Sequence, residues 1–311
     1  MLKIRPVFLT ICLFLSCQEH SKTSEVQNLP KEQPAAISLL GKPLYAAAPS
    51  AELLEKFQKH RANYEADPSV DNLIWYGRFI AYQGKYEEAI KVYSEGIKDF
   101  PTDARLYRHR GHRYISIRKF DEAIADFEKA ATLIAGRQNE VEPDGMPNAQ
   151  NIPVSTLHGN IHYHLGLAYY LKHDFPNALT AYQKCLATSN NPDNVVSATH
   201  WLYMILNRMD QTEAAEKVLD RIERAMPVIE NQAYHKACLF YKGLIELKDL
   251  MPDHGEANPS NDALAYGLGN WYFYNGNTEK AKTVFKTILE RDSWSSFGYI
   301  AAEKDYLINF K

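Results

Sequence analysis

The chain has 311 residues, 45% of them hydrophobic, 23% charged and 12% aromatic, with 35 Lys and Arg against 38 Asp and Glu. Apolar content of that size excludes a chain disordered over most of its length, because one or two substantial cores can be buried. The acidic excess disfavours generic binding to a phosphate backbone, so no nucleic-acid partner is expected.

Residues 1–17, MLKIRPVFLTICLFLSC, begin with two cations, run through apolar residues from Val7 to Leu15 and stop at a small residue and a cysteine. The apolar run is shorter than the roughly 20 residues that cross a bilayer, so it reads as a leader and not a spanning helix. Phe14-Leu15-Ser16-Cys17 resembles the lipobox of bacterial lipoproteins, with Phe14 where Leu is usual. That resemblance implies a signal peptide over 1–16, cleavage and diacylation at Cys17, and a place in the bacterial cell envelope, in contact with membrane through the lipid alone. Gln18 after the cysteine is similar to lipoproteins sent on to the outer membrane. The mature chain then carries 33 basic against 38 acidic side chains.

The following stretch, QEHSKTSEVQNLPKEQPAA, has little apolar content and two prolines, which predicts a solvated tether over 17–49. From Ser50 the pattern changes. Leu53, Leu54, Phe57, His60, Arg61 and Tyr64 share one helical stripe behind Ser50 as an N-cap, predicting a helix over 51–65 at the start of a domain spanning 50–311.

Downstream the chain repeats itself. NLIWYGRFIAYQGKYEEAIKVYSEGIKDFP aligns with RLYRHRGHRYISIRKFDEAIADFEKAATLI at an offset of 34 residues, superposing Gly77 on Gly111, Ala89 on Ala123, Tyr93 on Phe127 and Gly96 on Ala130. Gly166, Ala178 and Cys185, then Ala215, then Gly269, Ala281 and Phe285 fit the same template. These residues resemble the tetratricopeptide repeat, which implies an all-α solenoid, a right-handed superhelix of antiparallel helix pairs. Units are expected near 70–103, 104–137, 159–192 and 196–229, with a partial unit at 230–261 and a further one at 262–295. The glycines then mark helix contacts and turns. In AYGLGNWYFYNG no strand precedes Gly267 and Gly269, as a phosphate-binding loop requires.

Two departures interrupt the period. Residues 138–158 form an insertion with three prolines but also Val141, Met146, Ile152 and Val154, predicting an ordered loop packed on the solenoid. In the partial unit, MPDHGEANPSND leaves a second helix mostly missing. Phe297, Ile300, Ala301 and Leu307 fall at helical spacing, so 296–309 is expected to cap the array. Cys185 and Cys238 lie in helical apolar patterns and are expected to be buried and unpaired.

The resemblance also implies a concave face lined by first helices. Reading its positions gives Arg78, Tyr82, Arg105, Arg108, His112, Tyr163, Tyr170, Arg208, Tyr266, Asn270 and Tyr274, with Trp75, His109 and Trp201 at the flank. Guanidinium forks and rigid rings suit an acidic peptide, so the expected partner is an envelope protein or peptide held by a lipid-anchored adaptor. The Lys and Asn set of chaperone-binding members is absent from these positions. Two other readings compete. Trp75, Trp201, Tyr163, Tyr170, Tyr266 and Tyr274 could stack on sugar, giving a glycan-binding lipoprotein. An envelope hydrolase would use His158, His162, Asp144 or Ser155 beneath the insertion. His158 and His162 are four residues apart but lack a third ligand, and no nucleophile elbow, zincin motif or redox cysteine pair occurs, so no metal, cofactor or catalysis is expected.

Overall fold

A computed structural model describes residues 33–250 and 259–311. The expected leader, Cys17 and the first part of the expected tether lie outside the described residues. Pro34–Lys311 form one compact unit with fourteen α-helices and one hairpin among the described residues.

The hairpin corrects the expected tether. β1 (Ala36–Ile37) pairs antiparallel with β2 (Pro43–Leu44), and Ala36 and Leu44 are buried in the main core. Folded structure therefore begins before Ser50. Two-residue strands carry no period from which to read them, and their order comes from packing rather than from local pattern.

α1 (Ala51–Ala66) is capped by Ser50, whose hydroxyl accepts the Leu53 N–H at 3.2 Å. Phe57, His60 and Tyr64 stack on rings of α2 (Val70–Tyr82). Helices then come in pairs: α2 with α3 (Tyr86–Asp99), α4 (Ala104–Ser116) with α5 (Phe120–Ile134), and α6 (Leu157–Lys172) with α7 (Phe175–Ala187). α8 (Pro192–Arg208) pairs with the short α9 (Thr212–Val218). α10 (Gln232–Tyr241) and the single turn α11 (Leu247–Leu250) precede the pair of α12 (Pro259–Tyr274) with α13 (Thr278–Leu289), and α14 (Phe297–Phe310) ends the chain. First helices also touch each other in sequence, α2 with α4, α4 with α6, α6 with α8, α8 with α10 and α10 with α12. They form the inner layer of an all-α solenoid, and the second helices form the outer one.

Close approach within the pairs explains the repeated small residues. A Cβ on Gly77 would lie 2.5 Å from Tyr93, on Gly166 2.6 Å from Tyr182, and on Gly269 2.6 Å from Phe285. Backbone and ring are already in contact there, which offsets the roughly 1 kcal/mol that mid-helix glycine costs.

The fourth pair departs from its expected course. α9 gives way to a 3-10 turn, Leu219–Arg221, and to extended Ile222, well short of the expected end of the unit near 229. The returning chain is fixed by buried Asp193, whose carboxylate accepts the N–H groups of Ile229, Glu230 and Asn231 at 2.7–3.2 Å. Cys185 and Cys238 are both buried and unpaired.

Candidate functional site

The inner layer is built so that each pair turns at one left-handed residue. Gly84, Arg118, His173, Asp210 and Gly276 have φ of +75°, +64°, +63°, +56° and +77°. A side chain in that conformation costs roughly 1–2 kcal/mol, so Arg118 and His173 need a compensating role. They grip α14. Arg118 Nε donates to Glu303 Oε2 at 3.0 Å and Arg118 Nη2 to the Trp294 carbonyl at 2.8 Å, all three residues being buried. His173 Nε2 lies 3.1 Å from Asp305 Oδ1. Arg208 adds two parallel bonds to Asp305, at 3.0 and 3.1 Å, and Tyr266 OH donates to the same carboxylate at 2.8 Å. Burial works to raise the Asp305 pKa, but the Arg208 charge and hydrogen bonds and the neighbouring His173 ring outweigh it and hold the carboxyl below its ordinary range.

Aromatic contacts continue along the concave side. The Phe297 ring sits 5.4 Å from His112, 5.5 Å from His164 and 6.3 Å from Tyr163. Trp294 reaches the beginning of the fold, donating from Nε1 to the Tyr45 carbonyl at 2.8 Å and meeting the Tyr86 ring edge-on at 5.8 Å. The expected cap therefore packs on α12 and α13 and also reaches back to α6, to His112 and to Arg118, while Trp294 just before it reaches the first pair.

The insertion covers the concave side from elsewhere. Arg78 Nη1 donates to the Pro143 carbonyl at 2.8 Å, and Gly145 is buried against Tyr82. Glu142 pairs with Arg108 at 3.1 Å and accepts from Asn160 Nδ2. Asn148 Nδ2 donates to Glu230 at 2.5 Å, and Asn191 and Asn194 donate to the Val154 carbonyl at 2.8 and 3.0 Å. Contacts thus run from α2 across α4 and α6 to the start of α8 and the segment before α10.

Family models described as tetratricopeptide repeat match residues 81–139 and 262–293. Over those two stretches the chain carries the tetratricopeptide repeat. No curated protein matches significantly. Among solved structures, the chain is similar to a tetratricopeptide repeat protein from Parabacteroides merdae at 14% identity and a TM-score of 0.47, covering 81% of this chain and 92% of that one. It is also similar to YrrB, described as a tetratricopeptide protein with an unusual peptide-binding site, at 17% identity and a TM-score of 0.42, covering 75% and 92%. MamA matches at 17% identity and a TM-score of 0.38, covering 69% and 92%.

Against that repeat, the expected groove residues do gather on the first helices, but many cannot meet a partner. Tyr170, Trp201, Tyr266, Asn270 and His109 are buried, and the Arg208 side chain is 7% exposed. They bond to one another: Tyr170 OH lies 2.5 Å from Tyr266 OH, Asn270 donates to Tyr170, and Trp201 Nε1 donates to Tyr163 OH at 2.8 Å. For Arg208 and Tyr266 the physical reason is α14, whose Asp305 supplies the carboxylate that was expected from outside. Burial of Tyr170, Trp201 and Tyr266 also takes three of the six rings out of the expected stacking platform for sugar. His112 packs between His164 and Phe297, and Tyr274 lies edge-on to Tyr203. Burial pushes His112 well below its usual pKa and His164 to about 3.

Trp75, Arg78, Tyr82, Arg105 and Arg108 keep partial exposure. Arg78 lies 4.5 Å over the Trp75 ring, and Arg105 bonds Asp103 and Asp71, the latter at 2.7 Å. Burial pushes the Arg108 pKa down, while the Glu142 charge works against that. The hydrolase set does not assemble. Asp144 and Ser155 line a crevice with Arg78 and Arg108, whereas His158 lines another cavity beside Arg105. Sequence reasoning did not single out Arg118, Glu303, Asp305 or Glu142. Arg118 had a signal, since it occupies the turn position where Gly84 and Gly276 have no side chain.

Proposed function

We propose that this protein is an interaction adaptor, anchored in the bacterial cell envelope by a lipid on Cys17, that receives a protein partner on the outer face of its insertion. The observation carrying this reading is the exposure of Val141, Met146 and Ile152, which are 56%, 60% and 48% exposed on a loop pinned from both ends of the concave side. Apolar side chains held out on an ordered loop suit docking, and a rigid backbone lowers the ordering cost of binding. Arg78, which bonds this loop, adds a cation for an acidic partner. The lipobox resemblance at Phe14–Cys17 supports the anchor, and Gln18 supports the outer membrane.

Affinity capture from detergent-extracted envelopes tests the docking face. A specific partner should be recovered with the parent chain and with Arg105→Glu, and lost with Val141→Asp combined with Met146→Asp. The opposite pattern moves the contact to the start of α4. Labelling with a fatty-acid analogue checks the anchor, which requires incorporation that disappears in Cys17→Ala.

A further inference from the structure

Between the insertion and the inner helices lies a two-lobed polar crevice. The smaller lobe, about 140 Å³, is lined by Arg78, Arg108, Glu142, Asp144, Asn160 and Glu230. The larger, about 210 Å³, continues from Asn160 and Glu230 past Tyr163, Asn194 and Tyr234 to Phe297. Ser155 borders both.

Its charges are sorted and incompletely paired. The two guanidiniums come from α2 and α4, and among the described residues the one carboxylate that meets either of them is Glu142, at 3.1 Å from Arg108. Arg78 bonds neutral acceptors, the Pro143 carbonyl and the Tyr82 hydroxyl. Arg108 Nε is buried and makes no hydrogen bond among the described residues. Asp144 and Glu230 form no ion pair among the described residues, each accepting one bond, from the Met146 N–H at 2.9 Å and from Asn148 Nδ2 at 2.5 Å. The pKa of Glu230 is raised by burial first and then by the nearby charges of Asp144 and Asp193. One wall therefore carries two guanidiniums met by a single carboxylate, and the other carries two carboxylates, Asp144 and Glu230, whose charges repel each other.

We propose that this crevice binds a zwitterionic amino acid or dipeptide, with its carboxylate toward Arg78 and Arg108 and its ammonium toward Asp144 and Glu230. An ammonium relieves the repulsion between the two carboxylates, and a carboxylate takes the fork geometry that Arg recognises. A neutral sugar would leave both walls uncompensated. At roughly 30 Å³ per water, the lobes have room for about five and seven waters, which a ligand of about a dozen non-hydrogen atoms can replace. This site is independent of partner docking on the outer face of the insertion.

Isothermal titration of the full chain with the free standard amino acids and alanyl dipeptides is the test. At least one zwitterion should bind saturably. Acetylating its amine or amidating its carboxylate should each weaken binding about tenfold or more. Asp144→Asn and Glu230→Gln should do the same without moving the ligand-free melting temperature, since neither side chain is needed to close the core. No heat from any probe at millimolar concentration overturns the proposal. So does equal binding of the blocked forms, unchanged affinity in both variants, or binding of glucose or inorganic phosphate in their place.

Discussion

At the scale of single residues, stability rests on a few buried charges joined across long stretches of chain. Glu303 is fully buried with one oxygen on Arg118 and the other without a partner among the described residues. Glu303→Gln removes the charge but keeps the shape, leaving the Arg118 guanidinium buried and uncompensated. The expected loss is about 3 kcal/mol in urea denaturation. Replacing both partners, Arg118→Met with Glu303→Leu, should cost less than Glu303→Gln alone, because no orphaned charge remains. Equal or greater loss in the double variant would mean that the ion pair itself stabilises the fold. These partners were not legible in the sequence. The small positions, Gly77, Gly111, Gly166 and Gly269, announce themselves by a fixed period, whereas the Arg118–Glu303 pair spans 185 residues and has no local pattern.

Single elements show the same division between what a period reveals and what it does not. Helix pairs of the repeat could be placed because their apolar faces and turns recur every 34 residues. That α14 is a helix could also be read. Its destination could not, because an amphipathic pattern states which face is buried and not against what. In the fold Tyr299, Ile300, Ala301 and Ala302 are buried, and Asp305 neutralises Arg208. A chain ending at Ser296 should therefore lose its cooperative thermal transition, since it exposes that apolar surface and strands two buried guanidiniums. Circular dichroism melting checks this, and a retained sharp transition would show that α14 is an accessory rather than part of the core. The insertion behaves differently. Its ordering was readable from Val141, Met146, Ile152 and Val154, yet only Val154 turns inward, and the loop is held chiefly by polar groups.

For the whole molecule, buried histidines set how stability depends on acidity. Burial pushes His164 and His200 to about 3, while in an unfolded chain each titrates near 6.5. Between those values the unfolded state binds more protons. Stability is therefore complete above about pH 6.5 and falls as the pH drops, by up to about 1.4 kcal/mol per pH unit for each histidine. Asp305 adds a second decline at lower pH, because a carboxyl held below its ordinary range contributes above about pH 4 and loses that contribution on protonation. Urea midpoints measured from pH 7 to pH 4 should fall steadily, with a shallower slope in His200→Gln. A flat profile would mean that the imidazoles reach water in the fold.

The contact between Trp294 and Tyr45 joins positions 249 residues apart. In an open stack of repeats the terminal units can fray singly, because each meets only its neighbours. Here neither end of the described fold can peel away without prising the opposite one loose, and joining ends over such a span is slow compared with assembling adjacent helices. A nascent polypeptide not yet extended to Trp294 can stack its early repeats, but it cannot lock them.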